Sequence, residues 1–139
     1  MSTINIIGNA PNQVPTNADL GSQAFLDVDP YADSRSTSTQ VATATTVTLD
    51  SFGSDTYRTA LYTAQAFYGS DVYACTVLIS HNGSTVYYKE LGNVTSLSLP
   101  VSTLTFDATL SGGVVSFRLA NSTGSTVQAI ATRTALNAY

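Results

Sequence analysis

From Val41 onward, apolar residues alternate with Ser, Thr and other polar residues in short segments. In the first segment, Val47 and Leu49 alternate with Thr46 and Thr48. Alternation with a period of two places the apolar side chains on one face of a β-strand. The pattern predicts about eight strands, at residues 41–50, 57–68, 72–80, 85–91, 94–99, 104–110, 114–119 and 126–134.

Glycine and asparagine separate these segments. Asn82-Gly83 lies between two apolar runs and favours a type I′ hairpin, and Gly112-Gly113 favours a second hairpin. Short strands joined by short turns are typical of antiparallel sandwiches. The sequence therefore predicts an all-β domain at residues 41–139, an antiparallel β-sandwich of the jelly-roll or Ig-like type. We expect its core to contain Val47, Leu49, Tyr62, Leu78, Val86, Val115, Phe117 and Leu119.

Residues 1–40 lack this alternation and contain three of the four prolines, at positions 11, 15 and 30. Proline cannot donate to a sheet ladder and breaks helices, so we expect an extended arm that ends in a Ser/Thr-rich linker at 34–39. A polar segment interrupted by proline buries too little surface to order alone, so we expect the arm to attach to a neighbouring protein. The predicted interface residues are Ile4, Ile6, Ile7, Val14, Leu20, Phe25 and Leu26.

The charge of the chain limits its partners. Nine acids and five bases give a formal net charge of −4, whereas phosphate binding needs clustered Lys and Arg. No apolar run approaches the roughly 20 residues of a membrane-spanning helix. The first residues also lack the basic start and apolar stretch of a signal peptide. We therefore expect neither nucleic acid nor membrane as a partner, and assembly in the compartment of synthesis.

Candidate metal ligands are few. Cys75 and His81 are the only residues of their types, whereas a zinc site takes three or four ligands. Cys75 lies in an apolar run and is predicted to be a buried thiol, while His81 adjoins the predicted hairpin turn. Asp27, Asp29 and Asp33 lie close together, but a calcium loop needs more oxygen ligands, so we interpret them as solvated turn residues.

Candidate catalytic pairs are also weak. Glycoside hydrolysis needs two carboxylates that flank a cleft, for which Glu90 and Asp107 are the candidates. Glu90 adjoins Lys89, which is typical of a strand-surface pair, and no Ser lies in a G-x-S-x-G elbow. We expect no enzyme and no cofactor.

The tyrosines of the predicted strands leave two interpretations open. They can form an aromatic sugar-binding face, or they can belong to the core and to a protein interface, which is the interpretation we favour. The residues are Tyr57, Tyr62, Tyr68, Tyr73, Tyr87 and Tyr88.

Two stretches carry a family resemblance. One is Val14-Pro-Thr-Asn-Ala-Asp-Leu-Gly21, followed by Ala24, Phe25 and Asp27. The other spans residues 43–136, with the motifs Leu49-Asp-Ser-Phe52, Thr56-Tyr-Arg58, Ala60, Tyr62, His81-Asn-Gly83, Thr85-Val-Tyr87, Phe106-Asp-Ala108, Ser111-Gly-Gly-Val114 and Arg133-Thr-Ala-Leu136. Together they resemble virion structural proteins of tailed bacteriophages, particularly those that infect marine cyanobacteria, in which a short arm and a C-terminal β module recur.

The resemblance implies a virion protein that is assembled in the cytoplasm of the host bacterium and has other virion proteins as partners. Because no tail-anchoring domain or long repeat region precedes the module, we expect first a capsid decoration or cement protein that docks through its arm. The alternative is a subunit of a short tail or neck fibre or spike, with or without binding of host-surface carbohydrate. A receptor-binding lectin is the non-structural rival. We expect a homo-oligomer, and the resemblance implies a trimer.

Overall fold

The fold is known from a computed structural model, which describes residues 32–96 and 103–138. These residues form eight β-strands: β1 Ala32–Val41, β2 Thr45–Gly53, β3 Tyr57–Tyr68, β4 Asp71–His81, β5 Val86–Thr95, β6 Leu104–Ser111, β7 Val114–Asn121 and β8 Val127–Asn137. Within the same two ranges, no helix is long and apolar enough to cross a membrane.

The strands form two antiparallel sheets. Sheet A has five strands in the order β1-β8-β3-β4-β5, and sheet B has three in the order β2-β7-β6. The buried residues of both sheets belong to one hydrophobic core. The predicted all-β antiparallel sandwich is therefore confirmed.

The centre of the core is a stack of aromatic rings. Phe117 on β7 stacks on Tyr62 of β3, with ring centroids 4.1 Å apart, and on Phe106 of β6 at 5.4 Å. Of the predicted core residues, Val47 and Val86 are partly buried against the core, and five are buried: Leu49, Tyr62, Val115, Phe117 and Leu119.

Leu78 was wrongly predicted to lie in the core, since it is 40% exposed. The inward positions of β4 belong instead to its neighbours Val77 and Ile79. This strand carries apolar residues on both faces, so its alternation does not decide which face is buried.

The predicted linker at 34–39 was also wrong, because these residues lie within β1. The strand pairs with β8 over its full length, from Ala32 opposite Leu136 to Val41 opposite Val127. Its described side chains before Val41 are all polar and either exposed or partly buried, so backbone pairing rather than an apolar face holds it in place. The strand therefore left no apolar pattern in the sequence.

The predicted strands at 85–91 and 94–99 are largely one strand, β5. A register shift opposite Thr76 and Val77 accommodates the extra residue Leu91 and lets the strand continue through Gly92. Residues 97–99 of the second predicted strand lie outside the described part of the chain. So do the seven predicted interface residues of the arm, Asp27 and Asp29, and the side chain of Asp33.

Both predicted hairpins form, but only the loop between β6 and β7 has type I′ geometry. Gly112 and Gly113 both have positive φ, 57° and 77°, in a two-residue loop between β6 and β7, which is the type I′ geometry. The β4–β5 hairpin also forms, but Asn82 does not have positive φ, so the predicted type I′ turn there was wrong. The Asn82 side chain instead accepts hydrogen bonds from the backbone N–H groups of Ser84 and Thr85.

Candidate functional site

The outer face of sheet A follows from its register, because directly opposite residues of neighbouring strands share a face. Tyr62 on β3 points into the core, so Leu61 and Thr63 point outward. Leu61 lies opposite Leu78 of β4 and Thr134 of β8. The described outer positions are Ser34, Ser36, Ser38 and Gln40 on β1; Gln128, Ile130, Thr132, Thr134 and Leu136 on β8; Thr59, Leu61, Thr63, Gln65 and Phe67 on β3; Val72, Ala74, Thr76, Leu78 and Ser80 on β4; and Tyr87, Lys89, Gly92 and Val94 on β5.

This face is almost free of charge. Among its described positions, Lys89 is the single charged residue. The β1–β8 half is rich in hydroxyl and amide groups that form hydrogen bonds with one another. The Oγ of Ser36 lies 3.4 Å from the Oγ1 of Thr132, and the Nε2 of Gln128 donates to the Oγ of Ser38 at 2.7 Å. The described positions of this face therefore offer no carboxylate or cation cluster to a charged ligand.

Apolar side chains concentrate on the other half of the face, over β3, β4 and β5. Leu61 and Leu78 are both 40% exposed, and Val94 is 72% exposed. Within the described ranges, nine large hydrophobic residues are exposed, and five of them lie on this half of the face: Leu61, Val72, Leu78, Tyr87 and Val94. A sixth, Leu136, lies on β8. Exposed apolar side chains concentrated on one face are typical of a site of interaction.

The face has relief. Leu61 and Leu78 form a ridge. The next outward-facing residues on the same strands, Thr63 and Thr76, border a trough. A groove of about 560 Å³ lies over β4 and β5, lined by Thr63, Ala74, Cys75, Thr76, Leu91, Gly92, Asn93 and Val94. A recess of about 260 Å³ continues it towards β8, lined by Thr63, Ala64, Gln65, Ala74, Ile130 and Thr132. The trough exists because small residues occupy these positions, and Gly92 has no side chain.

The outer face of sheet B is different. Arg118 on β7 donates from Nε and Nη2 to the two carboxylate oxygens of Asp107 on β6, at 2.8 and 2.6 Å. This pairing raises the pKa of Arg118. Thr48 of β2 lies opposite Arg118 in the register. The sandwich thus has an ion pair on one outer face and a nearly uncharged surface on the other.

The two carboxylates considered for glycoside chemistry have separate partners. Asp107 is engaged by Arg118 in sheet B. Glu90, in sheet A, accepts hydrogen bonds from the Tyr73 hydroxyl and from the Asn93 Nδ2, both at 2.7 Å. The interpretation of Glu90 as a surface pair with Lys89 was therefore wrong, since adjacent residues of a strand point to opposite faces.

Cys75 is buried, as predicted. Burial, followed by the negative charge of Glu90, raises the pKa of the thiol to about 12. The same two causes, with the hydrogen bond to Glu90, raise the pKa of the Tyr73 hydroxyl. A thiol with so high a pKa is a poor nucleophile at neutral pH.

His81 lies at the β4–β5 hairpin, as expected, but its side chain is buried rather than solvent-facing. The backbone N–H of Gly83 donates to Nδ1 at 3.0 Å, and Nε2 lies 2.7 Å from the carbonyl oxygen of Tyr57. These partners assign the neutral tautomer with its hydrogen on Nε2. The ring holds the hairpin against the start of β3.

Sequence reasoning missed a buried polar cluster between the sheets. The Asp50 Oδ2 accepts hydrogen bonds from the Tyr62 hydroxyl at 2.7 Å and from the Arg133 Nη1 at 2.8 Å. Burial and Asp50 together raise the pKa of Tyr62. The alternation of the first segment predicts Asp50 on the same face as Thr46 and Thr48, opposite Val47 and Leu49, but a register shift between Thr48 and Asp50 turns it inward. The alternation of β2 contains no signal for that shift.

The cluster extends to aromatic rings and to β1. The Arg133 guanidinium lies over the rings of Phe52 and Tyr57, at 5.6 and 5.3 Å from their centroids. Arg35 of β1 approaches the other oxygen of Asp50, with its Nε at 3.6 Å. The contacts of Arg133 with Phe52 and of Arg35 with Asp50 cross between the two sheets, so the cluster stabilises their packing. Across the described strands and turns, no three His, Cys, Asp or Glu side chains are grouped in a way that suits a metal ion.

The six tyrosines do not form one aromatic face. Tyr62 and Tyr73 are buried, and Tyr57 and Tyr68 pack partly buried against the core. Tyr87 and Tyr88 are exposed on β5, where consecutive positions place them on opposite faces. The distribution matches a core role for four of them.

No protein-family model and no curated protein matches the sequence. Among solved structures, the chain is similar to the tailspike protein of Acinetobacter baumannii phage AM24, with a TM-score of 0.49 and 11% identity over 78% of this chain and 27% of that chain. It is similar to the tailspike protein of Acinetobacter phage vB_ApiP_P1, with a TM-score of 0.42 and 12% identity over 98% of this chain and 25% of that chain. The chain thus spans about a quarter of either tailspike. Likeness at these TM-scores does not assign a function.

Proposed function

We propose that the chain is a structural component of a bacteriophage particle, and that it serves there as a subunit of a tail or neck fibre or spike. The observation that carries the proposal is the outer face of sheet A. It combines exposed leucine, valine and tyrosine with a single charge, Lys89, among its described positions. Depletion of charge and enrichment in aromatic residues are typical of the centre of protein interfaces.

The phage context rests on the sequence motifs. The segment Val14-Pro-Thr-Asn-Ala-Asp-Leu-Gly21 and the motifs of residues 43–136 resemble virion structural proteins of tailed phages. In this proposal the partners are other virion proteins and further copies of the chain. The protein is assembled in the cytoplasm of the host bacterium and functions in the virion, without a cofactor and without catalytic turnover.

The fibre or spike role is placed before capsid decoration for a physical reason. A subunit of a fibre must bury part of its folded domain against neighbouring subunits, and sheet A offers such a surface. A decoration protein that docks through an arm needs no such face on its domain. Decoration remains the second candidate, favoured by the seven predicted interface residues of the polar N-terminal segment, Ile4, Ile6, Ile7, Val14, Leu20, Phe25 and Leu26.

Immunogold electron microscopy of purified phage particles tests the location. Antibodies raised against residues 32–138 should label the tail or the neck. Label spread over the capsid surface would support decoration instead. A matched control uses particles from a phage with a stop codon early in this gene, which should bind no gold. Antibodies that recognise the protein in infected cells but find none in particles, intact or disrupted, would contradict both roles.

A further inference from the structure

We infer that two copies of this chain pair face to face through the outer faces of their sheets A, in a symmetric dimer. This inference concerns the protein in solution, does not depend on its role in a particle, and differs from the trimer that the family resemblance implies. It rests on three properties of the face: its size, its relief and its charge.

The face is large enough for a stable dimer. Five strands spaced about 4.8 Å apart, each about ten residues long at about 3.3 Å per residue, cover roughly 800 Å². A standard protein interface buries about 800 Å² on each partner. Two sheets that meet face to face pack about 10 Å apart, with interdigitated side chains. One outer face of sheet A therefore supplies what one partner must contribute.

The relief of the face is complementary to itself. The ridge of Leu61 and Leu78 runs across the strands, and the trough at Thr63, Thr76 and Gly92 runs parallel to it one pair of residues further along. The two-fold axis of the dimer would lie in the interface, parallel to the ridge and to the trough and midway between them. Rotation about this axis places the ridge of each copy in the trough of the other. Both contacts then form at once, as the symmetry of an isologous dimer requires.

The charge of the face is compatible with a second copy. Among the described outer positions, Lys89 alone is charged, and it lies on the edge strand β5. Its ammonium can therefore reach water at the rim, as long charged side chains do at interfaces. A strongly acidic or basic partner could form few ion pairs with this surface. A second copy of the chain presents the same apolar side chains and hydroxyl groups, which can pack against and hydrogen-bond to those of the first.

Sedimentation equilibrium of the full-length chain over a wide concentration range tests the inference. We expect a monomer–dimer equilibrium. Leu78→Glu places a charge on the ridge and should raise the dissociation constant by about 30-fold or more. Gly92→Val should have a similar effect because it fills the trough, and a Cβ at this position meets no atom within 4 Å in the monomer.

Val114→Glu is the matched control, because Val114 is 42% exposed, much like Leu78, but belongs to sheet B. It should leave the dimer unchanged. Circular dichroism at a dilution that favours monomer should show the same fold for all variants. A chain that stays monomeric at every concentration, a trimer, or a dimer that tolerates Leu78→Glu and Gly92→Val would each overturn the inference. The particle experiment has an independent outcome, so the two proposals fail separately.

Discussion

Arg133 donates a hydrogen bond from Nη1 to Oδ2 of Asp50 across 2.8 Å, and both side chains are at least 96% buried. Arg133 belongs to β8 of sheet A and Asp50 to β2 of sheet B, so the pair joins the two sheets. A buried ion pair stabilises a fold only when its hydrogen bonds are made, because both charges have lost their hydration. Here the Tyr62 hydroxyl supplies a further donor to Asp50.

Arg133→Met should therefore lower the free energy of unfolding by about 3–5 kcal/mol, because it removes the buried cation that is hydrogen-bonded to Asp50 and leaves only the exposed Arg35, 3.6 Å from the carboxylate. Urea denaturation followed by circular dichroism measures the change. The control is Arg118→Met, which breaks a pair whose side chains are 33% and 27% exposed and should cost no more than about 1 kcal/mol. Equal losses for the two variants would show that the inter-sheet pair has no special role.

The sequence predicted the sandwich but not this buried cluster. The sandwich and most of its core followed from alternation, because strands such as β7 bury Val115, Phe117 and Leu119 at every second position. The inward position of Asp50 did not follow, because a register shift is a property of strand pairing and not of composition.

The candidate site, which is the outer face of sheet A, could be predicted from the sequence only in part. The tyrosines of β5 were noticed, but the ridge of Leu61 and Leu78 depends on the pairing of β3 with β4, which one sequence does not specify. Strand β1 was missed because its Ser and Thr side chains carry no apolar period. Its partner β8 lies more than 80 residues away in the chain, so local patterns could not connect the two.

Cys75 should resist thiol reagents in the folded protein. Burial and the nearby Glu90 hold the pKa of its thiol at about 12, so very little thiolate exists at pH 8. Labelling with a chromogenic disulfide reagent should be very slow in buffer and complete in denaturant. Glu90→Gln removes one of the two causes and should speed labelling without changing burial. Rapid labelling of the native protein would contradict the buried position of this residue.

The protein should lose stability as the pH rises above about 9. The pKa values of Cys75, Tyr62 and Tyr73 are raised in the fold above their usual 9.0 and 10.0. Their contribution is fully present below those usual values, and above them unfolding releases protons and becomes easier with rising pH. Each group then lowers the free energy of unfolding by about 1.4 kcal/mol per pH unit.

Urea midpoints measured between pH 7 and 11 follow this loss. The variant Tyr73→Phe should show a shallower decline than the wild-type protein, because one of the three groups is gone. Tyr87→Phe is the control, since this hydroxyl belongs to a side chain that is 57% exposed. A stability that stays constant up to pH 11 would rule out these buried hydroxyl and thiol groups as the source of alkaline sensitivity.

Removal of residues 1–31 should leave the β domain folded, because all eight described strands remain. Removal of residues 1–41 also deletes β1, including the buried Val41, and should cost about 2 kcal/mol or more. Thermal unfolding of the two truncated proteins measures the difference.

In phage-infected cells, the protein without residues 1–31 should no longer enter particles if the arm is the attachment element. Entry at normal occupancy would place the attachment surface on the β domain.

The number of copies in a purified particle distinguishes a fibre or spike subunit from a capsid decoration protein. Quantitative mass spectrometry, with the major capsid protein as the internal standard, gives this number. A fibre or spike subunit should be present in about a dozen copies or fewer, since closed symmetric assemblies at the tail or neck contain few chains. Hundreds of copies would contradict the fibre or spike role and support capsid decoration, and absence from the particle would contradict both roles.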